Sequence, residues 1–105
     1  MGPIWRGGNQ DEEKFLAECY SNSLQIAVDQ GIRSVAFPSI STGAYSFPKE
    51  KAAMIAVRTV NDFIEENSGS LDLVEWILFD EETLNIYKDA LNHFKANKIV
   101  GTPGF

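Results

Sequence analysis

Residues able to bind or react concentrate in one stretch of this 105-residue chain, Ser39-Ile-Ser-Thr-Gly-Ala-Tyr-Ser-Phe-Pro48. Its side chains are mostly small or hydroxylated and surround one glycine, Gly43, where a larger residue would block close backbone approach or a left-handed conformation. An apolar run, Ser34 to Phe37, precedes the stretch, and Lys49 to Glu66 follows with helical periodicity. It is therefore a strand-to-helix loop. Such loops present backbone amides, and the helix behind them adds the positive end of its dipole. The guest that fits is an anion such as phosphate, with Tyr45 offering a flat amphipathic surface beside it. Pro48 suits the first helical turn, where its missing N–H leaves no bond unmade, and Ser46 is placed to cap that turn. Taken alone, the stretch would serve equally as an ordinary turn between strand and helix.

Other reactive residue types are sparse. Cys19 is the only cysteine. It falls on or near a packed helical face and reads as a small buried hydrophobe, with no evident base partner for nucleophilic catalysis. His93 is the only histidine and lies late on a solvent-leaning helix face. The acidic triplets Asp11-Glu-Glu13 and Asp80-Glu-Glu82 each open a helix, where carboxylates offset the dipole, and neither has a histidine nearby in sequence. No metal and no cofactor is expected, and no catalytic residue can be named.

These positions depend on elements in the order α-β-α-β-α. Leu16, Tyr20, Leu24, Ala27 and Val28 share one helical stripe. Asn9 with Glu12 forms its capping box and Gly31 its stop. Ser34 to Ile40 reads as a short buried strand without alternation, and Pro38 marks its end. Ala53, Ala56, Val57, Val60, Phe63 and Ile64 make a second helical stripe, whose alanines imply close approach to a sheet. Asn67-Ser-Gly-Ser70 breaks that helix. Leu71 to Phe79 is a second strand, apolar except for Asp72 and Glu75, and Asp80 caps a third helix carrying Leu84, Tyr87, Leu91 and Phe94. Beyond Lys95 there is no periodicity, so 96–105 is expected to be a flexible tail. The strand, crossover helix and second strand form a parallel βαβ unit.

Bulk properties narrow the partners. The hydrophobic fraction of 44% suits one globular domain over residues 1–105. A net charge of -6 argues against nucleic acid, which needs a basic face, but not against a small phosphorylated ligand held by amides. No apolar run reaches the ~18 residues that would span a bilayer, so no membrane partner is expected. With one cysteine and no signal peptide, the expected location is cytoplasmic.

The loop Ser39 to Pro48 resembles the second phosphate loop of macrodomains, the ADP-ribose-binding modules. Gly2-Pro-Ile-Trp5, Leu16-Ala-Glu-Cys-Tyr-Ser-Asn-Ser-Leu24 and Leu78-Phe-Asp-Glu-Glu82 agree with it in order and spacing, from about Gly2 to about Leu91. The family's early acidic residue, its Asn-Ala-Ala-Asn motif and its glycine-rich first loop have no counterpart here. The resemblance is thus to the C-terminal portion of a macrodomain, which implies a truncated three-layer α/β fold with a small parallel sheet. On that resemblance, Ser41, Thr42, Gly43, Ala44 and Tyr45 hold the diphosphate and distal ribose of ADP-ribose. Phe79 resembles the aromatic on the adenine side, with Asp80 beside it; read without the family, Phe79 fits the core equally well.

The implied activity is recognition of ADP-ribose with hydrolysis of O-acetyl-ADP-ribose or mono-ADP-ribosyl esters. The alternatives are a non-catalytic module that binds ADP-ribose or phosphate, and an inactive fragment lacking the first ligand loop. In the complete fold the strand ending at Ile40 has neighbours on both sides. An unsatisfied buried backbone group costs ~1–3 kcal/mol, so a homo-oligomer is expected, with another copy of the chain covering the open sheet edge.

Overall fold

A computed structural model describes residues 12–38, 48–67, 69–95 and 98–104. Helix α1 (Glu12–Asp29) forms on the expected stripe, with Leu16, Tyr20, Leu24 and Ala27 buried and Val28 half-buried. It ends at Gly31, whose φ of 74° is open to glycine at no steric cost. There the Ile32 N–H donates to the Ala27 carbonyl at 2.9 Å and the Gly31 N–H to the Val28 carbonyl at 3.0 Å, the paired bonds of a Schellman end. The expected cap at Asn9 lies outside the described residues.

Strand β1 (Ser34–Pro38) stops at its proline, and Ser39 and Ile40 lie outside the described residues. The expected burial on both faces is corrected: Phe37 is buried and Val35 half-buried, while Ser34, Ala36 and Pro38 are exposed. The cause is the layering. Helix α2 (Lys49–Glu66) packs between α1 and α3 (Glu81–Phe94), so all three helices lie on one face of the sheet. Strand β2 (Leu73–Leu78) shows it most clearly, burying Val74, Trp76 and Leu78 under the helices while Leu73 points the other way and is exposed. The described residues thus supply a sheet and one helical layer.

The core gathers around Trp76. Its ring lies 5.6 Å from Tyr20 of α1, 6.0 Å from Phe37 of β1 and 5.4 Å from Tyr87 of α3, and its Nε1–H donates to the Tyr20 hydroxyl at 3.3 Å. Ala52, Ala53 and Ala56 are fully buried on α2, so the small side chains lie in the core as their spacing implied.

Residues 96–105 were expected to be a flexible tail, and this is corrected over most of their length. Ile99–Pro103 forms a third strand, β3, parallel to β2, giving the sheet order β1-β2-β3. Its pairing is made by the main chain: the Val74 N–H donates to the Lys98 carbonyl at 2.8 Å and the Gly104 N–H to the Leu78 carbonyl at 2.7 Å. Ile99 is buried and Val100 exposed. A half-exposed five-residue strand containing Gly101 and Pro103 carries too little alternation to be recognised from sequence.

Candidate functional site

Residues Ser41, Thr42, Gly43, Ala44 and Tyr45 lie outside the described residues, but the structure defines both ends of their loop. It leaves the C-terminal end of β1 at Pro38 and enters α2 at Lys49. Ligands of open α/β sheets bind at strand C-terminal ends, where the crossover loops lie. One detail differs from expectation. Pro48 stands in the N-cap position, with φ -57° and ψ 126°, rather than in the first turn, and its carbonyl accepts from the Ala52 N–H at 2.9 Å. Ser46 therefore stands two residues before the cap position and lies outside the described residues. A proline cap has no side-chain oxygen to offer the first-turn amides of α2.

Helix α3 differs. Its N-cap, Asp80, accepts from the Thr83 N–H at 2.7 Å and from the Thr83 hydroxyl at 3.0 Å. These two bonds, with help from Lys49, hold the Asp80 carboxyl below its ordinary range. The positive end of α3 is thus served by its own carboxylate, as the sequence implied. The neighbouring α2 receives no such group from its cap residue.

Phe79 directly follows β2 and is 64% exposed, so it stands outside the core. Its ring lies against Gly104, where an added Cβ would come within 2.9 Å of the Phe79 Cε1. Lys49 ties two helix starts together: its Nζ donates to the Glu82 Oε1 at 2.7 Å, joining the start of α2 to the first turn of α3. This bond raises the Lys49 pKa. Sequence reasoning passed over the pair, because its partners are 33 positions apart and no local pattern links them.

At the opposite end of the sheet, Arg33 grips Asp72 with two bonds of 2.9 and 3.0 Å and the Gly69 carbonyl at 2.7 Å. The guanidinium bonds hold the Asp72 carboxyl below its usual range. A groove of about 450 Å³ lies between α3 and β3, lined by Lys88, Leu91, Asn92, Lys95 and the Ile99–Gly101 segment. Among the described residues no group of three or more His, Cys, Asp or Glu is placed to hold a metal ion. His93 is exposed against Phe94, and Cys19 is half-buried rather than buried.

A family model described as Macro domain matches residues 1–56, just over half of the chain. The chain belongs to the macrodomain family. Over 91 residues it is 50% identical to an O-acetyl-ADP-ribose deacetylase of Klebsiella pneumoniae, covering 87% of this chain and 51% of that protein. The Macro domain-containing protein RSc0334 of Ralstonia nicotianae is also 50% identical, covering 88% of this chain and 52% of its own. An Oceanobacillus iheyensis macrodomain with ADP matches in structure with a TM-score of 0.83 and 39% identity, over 90% of this chain and 49% of that one. A Trypanosoma brucei macrodomain in complex with ADP-ribose matches with a TM-score of 0.73 and 33% identity, over 75% of this chain and 34% of that one. The fold and family implied by the four sequence stretches are thus the ones found. This macrodomain chain spans about half the length of the curated relatives it matches.

Proposed function

We propose that this macrodomain chain recognises ADP-ribose and acts in the hydrolysis of O-acetyl-ADP-ribose or mono-ADP-ribosyl esters. Ser41, Thr42, Gly43, Ala44 and Tyr45 take the diphosphate and distal ribose, while Phe79 and Asp80 form the adenine side. The observation that carries this reading is the 50% identity to an O-acetyl-ADP-ribose deacetylase. The geometry supports it: the loop enters an α2 whose proline cap leaves the dipole end to an anion, and an exposed aromatic directly follows the neighbouring strand. The ligand is a small molecule rather than nucleic acid, consistent with a net charge of -6. Among the described residues no helix is long and apolar enough to cross a membrane. The single cysteine suits a reducing compartment, and we assign the chain to the cytoplasm as a homo-oligomer.

A second reading, a non-catalytic ADP-ribose module, draws on the chain's covering half of its catalytic relatives. Hydrolysis needs reacting groups positioned within a fraction of an ångström, whereas binding tolerates a partial wall. Titration calorimetry with ADP-ribose, followed by an assay of product release from O-acetyl-ADP-ribose, separates the two. Gly43→Val should lower affinity at least tenfold by blocking backbone approach to the diphosphate. Unchanged affinity in that variant would overturn the loop assignment, and a chain that neither binds nor turns over is an inactive fragment.

A further inference from the structure

The glycines among the described residues are there for different reasons. Gly31 and Gly69 have positive φ, with open space where a Cβ would stand. Gly101 would meet only ordinary contacts, the nearest being the Leu78 Cδ1 at 3.6 Å. Gly104 differs from all three. Its φ lies outside the left-handed region, so its backbone would suit other residues. An added Cβ, however, would fall 2.8 Å from the Ile77 Cγ2, and 2.9 and 3.0 Å from the Phe79 Cε1 and Cδ1. Space, and not conformation, requires glycine here.

The register explains the crowding. Strands β2 and β3 are parallel with Leu78 opposite Pro103, and continuing by one position sets Phe79 beside Gly104. Side chains at matched positions of neighbouring strands leave the same face of a sheet, about 4.8 Å apart. A ring at 79 can therefore lean across the end of β3 only where 104 has no side chain. Two bonds keep the glycine in place. Its N–H donates to the Leu78 carbonyl at 2.7 Å, and the Thr102 hydroxyl on the same strand donates to the Glu75 Oε2 at 2.6 Å. Ile77 is β-branched and held within β2, so it yields little. Phe79, exposed beyond the strand end, is the group that would move.

We infer, on the reading of Phe79 as the adenine side of an ADP-ribose site, that Gly104 is a positioning residue for the base of the ligand. Its bare backbone holds the Cδ1–Cε1 side of the Phe79 ring and leaves the rest of the ring open to stack on a flat purine. A residue that touches no ligand thereby makes the chain prefer purine over pyrimidine diphosphates.

Titration calorimetry with ADP and UDP tests this, because the two share a diphosphate and differ in base. The parent should bind ADP about fivefold or more tightly than UDP, the order of one stacked base. Gly104→Ala should bring that preference below about twofold by turning the ring aside. Gly101→Ala, with leucines as its nearest neighbours, should leave the preference intact. A ratio of two affinities is a property of the folded protein, so a modest loss of stability does not move it. Phe79→Ala should abolish the preference as well, and adding Gly104→Ala to it should change nothing further, as for a residue that acts through another. If neither nucleotide nor ADP-ribose binds the parent, the ligand reading falls and the role of Gly104 with it. If the nucleotides bind but the parent holds ADP and UDP alike, if Gly104→Ala retains the preference, or if the two substitutions add, the ligand reading stands and the role of Gly104 is overturned.

Discussion

Asp80 shows how one side chain serves the fold at the edge of a proposed site. Its carboxylate is occupied by the Thr83 N–H and hydroxyl, so the group that opens α3 is held in place before any ligand arrives. Because these bonds favour the charged form, the folded pKa lies below the unfolded one of about 3.9. The stability Asp80 contributes is therefore present above the unfolded pKa and is lost as pH falls through the folded pKa. Asp72, held down first by its bond to Arg33, adds a change of the same sign. Asp80→Asn keeps a good capping residue and removes one titrating group. Urea unfolding should show a shallower loss of stability between pH 5 and 2, estimated as roughly the window of a depressed aspartate, than in the parent chain. An identical slope would mean that the cap does not titrate with folding.

Among the elements, β3 is the one whose role rests most on pairing. It gives β2 a second neighbour, and its Ile99 enters the same core as Trp76 and Leu84. A flexible tail would tolerate any change there. Ile99→Ala should cost about 2–5 kcal/mol, the usual range for emptying a buried isoleucine site. Val100→Ala, one position along and exposed, should stay within about 0.5 kcal/mol. Denaturant midpoints for the two variants decide the matter, and equal effects would remove β3 from the folded unit. The Lys49–Glu82 bond works at this scale too, setting how the starts of α2 and α3 sit beside one another.

For the molecule as a whole, the proposed ligand site would link binding to folding. The proposed loop spans β1 and α2, and the adenine-side residues directly follow β2, so a bound ADP-ribose would bridge elements that unfolding separates. ADP-ribose at a hundred times its dissociation constant should stabilise the chain by about 2.7 kcal/mol. Differential scanning calorimetry of the parent and of Gly43→Val measures this, with the upward shift expected in the parent alone. A shift preserved in the variant would place the ligand elsewhere than on the loop.

Much of this protein was readable one residue at a time. The stripes of α1, α2 and α3, the stop at Gly31, the cap at Asp80 and the family-bearing loop are all local patterns, because a helix repeats every 3.6 residues and a cap acts within one turn. Long-range pairing decided the rest. β3 exists because the main chain of Val74 and Leu78 meets it, β1 alternates between exposed and covered positions because the helices among the described residues lie on one face, and Lys49 meets Glu82 because two crossovers end side by side. Main-chain hydrogen bonds are indifferent to side-chain identity, so a sheet's edges and neighbours leave little trace in composition or spacing.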